Sequence, residues 1–157
     1  MSCFSHKMPV DINIFDTDCY GVMWHGAYTK WMEIGRVKLM EDAGFVFSTP
    51  DDPDGLVFPV VEQQFSFKRP ARYGEALQLV TKLQVNRHKF NFSQTFYLQK
   101  PATKSATDKD TITVHAETTI VVLNHQWKLL RRLPESLACF TEQSLQKLEK
   151  TEALQWV

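Results

Sequence analysis

The feature that most limits the folds open to this sequence is a change of hydrophobic period. From Val10 to Phe15 apolar residues alternate, Val10, Ile12 and Ile14 against Asp11 and Asn13, which predicts a half-buried strand. From about Ala27 to Asp42 the repeat lengthens to that of a helix. Tyr28, Trp31, Met32, Gly35, Leu39 and Ala43 share one face, and Lys30, Glu33, Lys38 and Glu41 the other. Gly44 is placed to end this helix as its C′ residue. At about 16 residues it is about 24 Å long, the span of a small domain. After a turn-rich loop at Ser48–Gly55, strands follow at about Val57–Phe67, Ala76–Val85, Lys89–Leu98 and Ile112–Leu123, with a short one near Lys128–Arg132. Lys100–Thr111 is polar and aperiodic and reads as a mobile loop. An amphipathic C-terminal helix, about 135–150, puts Leu137, Phe140 and Leu148 on one stripe. One apolar helix followed by a run of strands predicts an α+β fold, an antiparallel sheet wrapped around a single long central helix.

A chain of 157 residues fits one domain, with its core at about 8–134. Lys and Arg number 18, as do Asp and Glu, so no basic field favours nucleic acid as a partner. No apolar run approaches the roughly 18–20 residues of a membrane span. The first residues lack the apolar region of a secretory signal. Cys3, Cys19 and Cys139 form no disulfide or zinc pattern, which favours a reducing, cytoplasmic setting. His6, His25, His88, His115 and His125 lack metal-ligand spacing, so no metal and no cofactor are expected.

Between the first strand and the helix lies Asp16-Thr17-Asp18-Cys19-Tyr20-Gly21-Val22-Met23-Trp24-His25. With the helix that follows, containing Tyr28 or Trp31, Glu33 and Arg36, it resembles the opening motif of the 4-hydroxybenzoyl-CoA thioesterase-like branch of the hot-dog fold. The resemblance continues through PVVEQQFSFKRPARYGEAL, similar to that family's second strand, its P-A-x-x-G-[DE] turn and its third strand. It reaches LLRRLP, so that it covers about Val10 to Pro134. The resemblance implies an acyl-CoA thioesterase releasing a free acid and coenzyme A, with Asp18 attacking the thioester or activating water. It implies the backbone N–H of His25 as donor to the thioester oxygen, with the His25 side chain holding substrate or water. It implies a basic run at Arg87, His88 and Lys89 against the coenzyme A phosphates, interrupted here by His88. Sites in that family lie between two subunits, which implies a homodimer or homotetramer.

The chemistry suits the placement. Thioester hydrolysis needs an oxygen nucleophile and a fixed positive potential where the carbonyl oxygen gains charge. A carboxylate just before a helix supplies the first, and free N–H groups of the first turn supply the second. Asp16 and Asp18 are also residue types that turns and caps favour for structural reasons alone, and Asp16 is assigned to the turn. Glu33 and Arg36, spaced i, i+3, read as an ion pair, with a catalytic Glu33 the lesser reading. Cys19 reads as a small packing residue. Arg69 and Arg72 form a second candidate phosphate patch. Trp24, Phe58 and Val60 are candidate walls of the acyl pocket. The alternatives are an acyl-carrier-protein thioesterase, a 1,4-dihydroxy-2-naphthoyl-CoA thioesterase, and a non-catalytic acyl-CoA-binding protein.

Overall fold

The computed structural model describes residues 3–49, 51–86, 88–99, 111–134 and Leu137. Strand β1 (Cys3–Asp11) is followed by a single 3-10 turn (Ile14–Asp16), helix α1 (His25–Asp42), β2 (Leu56–Val57), β3 (Val60–Phe67), β4 (Ala76–Asn86), β5 (Lys89–Leu98), β6 (Ile112–Val121) and β7 (Leu123–Asn124). Five strands form one antiparallel sheet in the order β1-β4-β5-β6-β3, and β2 pairs with β7. The expected antiparallel sheet with one long helix is the observed architecture, and α1 lies across it against β1 and β4.

Several boundaries differ, each for a local reason. The first strand runs from Cys3 to Asp11, not from Val10 to Phe15. Its buried face carries Phe4 and Val10, with half-buried His6 and Met8 between them, and the polar His6 blurs the alternation. Pro9, which cannot donate to a ladder, is tolerated because β1 is an edge strand. Ile14 and Phe15 are exposed in the 3-10 turn. Pro59 falls between β2 and β3, and the expected strand at Lys128–Arg132 is reduced to a bridge between Leu123 and Leu129. The loop expected at Lys100–Thr111 lies outside the described residues but for Thr111. So does the C-terminal helix, but for Leu137, which is buried.

The core is two apolar clusters separated by a polar level. Val10, Ala27, Tyr28, Met32, Leu79 and Phe96 belong to the first, and Phe4, Leu39, Met40, Leu83, Phe90 and Phe92 to the second. Between them the sheet register aligns His6 with Thr81 and Thr81 with Gln94. Gln94 is fully buried, and every polar atom of its side chain is satisfied, as burial requires. Its Nε2 donates to the Met32 carbonyl and to Thr81 Oγ1, both at 3.0 Å, while its Oε1 accepts from Arg36 Nη1 at 3.1 Å. Gly35 sits directly over this level. A Cβ there would come within 2.8 Å of both Leu79 Cδ2 and Thr81 Oγ1.

Gly35→Ala gains helix propensity of about 1 kcal/mol, yet it forces apart a packed contact, at a cost of about 1–3 kcal/mol. A net loss of stability is expected, larger for Gly35→Val, by urea unfolding. A midpoint for Gly35→Ala at or above the wild-type value would contradict this packing.

Candidate active site

The chain between β1 and α1 is folded by its own polar side chains. Asp16 is buried, and its Oδ2 accepts from the Asn13 backbone N–H at 3.1 Å and from Asn13 Nδ2 at 3.2 Å. Lys30, one turn into α1, closes an ion pair on Oδ1. Burial by itself pushes this carboxyl upward, but the Lys30 hydrogen bond, the two Asn13 bonds and the Lys30 charge together hold it below its ordinary value. Asp16 is therefore a charged anchor that ties the turn to the helix.

Asp18 is different. Thr17 pairs with Met23, so the chain doubles back at Asp18–Val22, closed by Asp18 N–H to the Val22 carbonyl at 2.9 Å. Asp18 Oδ1 accepts from the Tyr20 N–H at 2.8 Å and from the Val22 N–H at 3.4 Å, shaping the turn. Its Oδ2 has no hydrogen bond among the described residues, and the side chain is exposed. The hairpin is fixed to the Pro70–Gly74 turn by Met23 N–H to the Ala71 carbonyl at 2.7 Å and by a bridge between Val22 and Arg72.

The same hairpin delivers the chain into α1. Trp24 is the N-cap and offers no side-chain oxygen to the first turn. Its carbonyl takes the N–H groups of Ala27 and Tyr28, leaving those of His25 and Gly26 without a partner among the described residues. The Trp24 ring folds over Gly26 so closely that a Cβ there would lie 2.0 Å from Cζ3. His25 is exposed, its ring edge-on to Trp24 at 5.5 Å. An unpartnered carboxylate oxygen thus shares one end of the molecule with two free backbone donors at the positive end of a helix. That pairing can activate an oxygen nucleophile and stabilise developing negative charge.

The other candidates are spread out. Arg87 lies outside the described residues, His88 is half-buried and Lys89 exposed. That turn follows the far end of β4, which begins at Ala76 beside the Asp18 hairpin and runs about 33 Å over its length. Arg69 and Arg72 are exposed at the near end. Phe58 packs against Phe45 and Phe90 near the C-terminal end of α1, whereas Trp24 sits at its N-terminus and Val60 is exposed on edge strand β3. One chain does not bring these three together. Cys19, expected to pack, is instead an exposed free thiol, because the hairpin tip faces outward. Glu33 and Arg36 pair as expected. The burial of Arg36, and with it the link to Gln94, was not expected from sequence. Strand parity offered the signal, since Gln94 falls on the same face of β5 as Phe90, Phe92 and Phe96. Tyr28 is buried against Phe96 and Phe67, and burial pushes its hydroxyl up to about 12, so it stays neutral. Among the described residues no cluster of three or more His, Cys, Asp or Glu could hold a metal ion, and no helix is long and apolar enough to cross a membrane.

Residues 12–140 match the family model described as the thioesterase-like superfamily. Over 69 residues the chain is 38% identical to "Putative acyl-CoA thioesterase YneP" of Bacillus subtilis (strain 168), covering 44% of this chain and 49% of that protein. The match thus spans about half of that relative's length. Among solved structures, a DHNA-CoA thioesterase from Staphylococcus aureus superposes with a TM-score of 0.73 at 17% identity, covering 94% of this chain and 95% of that one. The 4-hydroxybenzoyl-CoA thioesterase of Pseudomonas sp. strain CBS-3 superposes with a TM-score of 0.70 at 19% identity, covering 88% and 98%. These likenesses establish the hot-dog fold.

Asp16→Asn removes the charge that holds Lys30 and is expected to lower stability at neutral pH by about 1–3 kcal/mol. Because the folded-state carboxyl lies below its ordinary value of 3.8, its contribution is complete above that pH and is lost as pH falls through the lower folded value. Chemical unfolding from pH 7 to pH 2 should show the deficit of the variant shrinking in acid. A deficit that stays constant would contradict the assignment.

Proposed function

We propose that this chain, which belongs to the thioesterase-like superfamily, hydrolyses an acyl- or aryl-CoA thioester to the free acid and coenzyme A. The observation that carries the reading is the exposed Asp18 carboxylate on the hairpin that leads into the uncapped first turn of α1. Two routes use it. Asp18 attacks the carbonyl carbon, expels the thiolate and leaves a mixed anhydride that water cleaves; or Asp18 takes a proton from the water that attacks. Either way the carbonyl oxygen gains charge opposite the His25 N–H, where a fixed dipole needs no reorganisation. The thiolate takes up the proton that hydrolysis releases.

The phosphates of coenzyme A are assigned to Arg87, His88 and Lys89. The length of β4 separates that turn from Asp18 of its own chain, which supports a site completed by a second copy. A homodimer is the smallest such assembly, and a homotetramer also serves. Trp24, Phe58 and Val60 are assigned to the acyl pocket on the same footing, as contributions from two copies.

Asp18→Asn keeps the acceptor that Tyr20 and Val22 use, so the hairpin is retained. General-base help is worth about 10²–10⁴-fold, so kcat should fall at least about a hundredfold while coenzyme A binding persists. A panel of acyl- and aryl-CoA thioesters, with an acyl-carrier-protein thioester beside them, assayed for free thiol, supplies the measurement. Normal turnover by Asp18→Asn would end the carboxylate reading, and coenzyme A binding without any turnover would favour a non-catalytic binder. For the phosphate assignment, the double variant Arg87→Ala, Lys89→Ala should raise KM far more than it lowers kcat, with an effect that weakens in salt. An unchanged KM would remove it.

A further inference from the structure

A cleft of about 400 Å³ opens between Glu33 of α1, the 47–58 segment and the turn after β7, a volume that admits a small ligand. Three aromatic side chains, Phe47, Phe58 and Trp127, stand in its walls beside two carboxylates, Glu33 and Asp52. Among its described lining residues there is no lysine or arginine. Glu33 is committed to Arg36. Asp52 is not committed in this way: its Oδ1 accepts from the Asp54 N–H at 2.9 Å, and among the described residues no cation pairs with it. Asp51 and Asp54 on either side are exposed and add to the negative potential.

Trp127 is the unusual wall. Its N–H closes the turn on the Asn124 carbonyl at 2.9 Å, and Asn124 Oδ1 takes the N–H groups of Gln126 and Lys128. The turn puts residue 127 at φ 60°, a left-handed position that short hairpin loops normally give to glycine or asparagine. A tryptophan is strained there, and at 70% exposure its own burial does little to offset the strain. The walls select the ligand. An anion is repelled by Asp52 and its neighbours, and a neutral apolar molecule covers that carboxylate without answering its charge. A metal ion finds no cluster of three ligands among the described residues. An organic ammonium meets both needs, because its diffuse charge suits the carboxylate while its alkyl groups rest on rings that attract cations. We propose that this cleft binds an organic cation, a tertiary or quaternary ammonium, held by Asp52 and by the rings of Trp127, Phe47 and Phe58. Two sources share that chemistry: a free ammonium compound, or an acyl group with an ammonium at its far end, hydrolysed at Asp18 of a second copy. The latter rests on the thioesterase reading, in which Phe58 belongs to the acyl pocket.

The probe pair is choline and 3,3-dimethylbutan-1-ol, alike in shape and differing by the charge, titrated by NMR into the whole protein. Choline should shift the Trp127 indole N–H resonance and bind at least about tenfold more tightly than the neutral alcohol. Asp52→Asn keeps the acceptor that Asp54 uses and removes only the charge, so it should weaken choline about tenfold and leave the alcohol unchanged. Trp127→Gly should leave the protein folded, since glycine suits that backbone, and should also weaken choline about tenfold. Equal affinities in the wild type, an unmoved Trp127 resonance, or choline binding untouched by either variant would each overturn the proposal. A second arm compares kcat/KM for 4-(trimethylammonio)butanoyl-CoA and 5,5-dimethylhexanoyl-CoA, which differ in the same way. A preference for the ammonium thioester that Asp52→Asn removes assigns the cleft to the acyl group. No preference, with choline still bound, assigns it to a free cation. Absence of turnover on every thioester overturns the hydrolase reading instead, because the choline titration does not depend on it.

Discussion

The contact on which the structure depends is the one between Gly35 and the level of Thr81 and Gln94. The helix can lie this close to the sheet only because residue 35 has no side chain, and that closeness brings the Met32 carbonyl within reach of Gln94. Gln94 then answers three groups at once: a helix carbonyl, a strand hydroxyl and the Arg36 guanidinium. Apolar packing sets the general position of α1. This directional bonding fixes its rotation and its register along the sheet, which nondirectional burial does poorly.

With the helix so placed, its N-terminus is committed to one end of the sheet, and the preceding residues must make a tight return to reach it. The two aspartates there divide the work by burial. Asp16 is inside, fully engaged with Asn13 and Lys30, and stays ionised because its partners outweigh desolvation. Asp18 is outside, engaged through one oxygen and open at the other. Two residues apart, they are a structural charge and a chemically available one.

Much of the fold was legible because the helix and the longer strands follow clean periods. The face read from Tyr28 to Ala43 is the buried face, apart from a half-buried Trp31, and the strands from β4 to β6 fall close to their expected limits. The first strand was misplaced because the polar His6 interrupts its inward row, and because Ile14 and Phe15 are apolar yet exposed. At the candidate site, the separate environments of Asp16 and Asp18 were beyond sequence reading. Both are turn-favouring carboxylates, and only the three-dimensional return of Lys30 tells them apart. Arg36 was read as one half of a surface pair. Its burial follows from Gln94, a long-range partner that no local spacing reveals.

The polar level has one more consequence, for how this protein can change over time. It lies between the two apolar clusters of the core, with Thr81 and Gln94 hydrogen-bonded to each other at its centre. Substitutions in separate clusters share few neighbours, so their free energies should combine nearly additively. The cluster under the helix N-terminus holds the Asp18 hairpin in place, while the other lies under the C-terminal half of α1. Drift can therefore remodel one half of the interior while the other keeps its geometry.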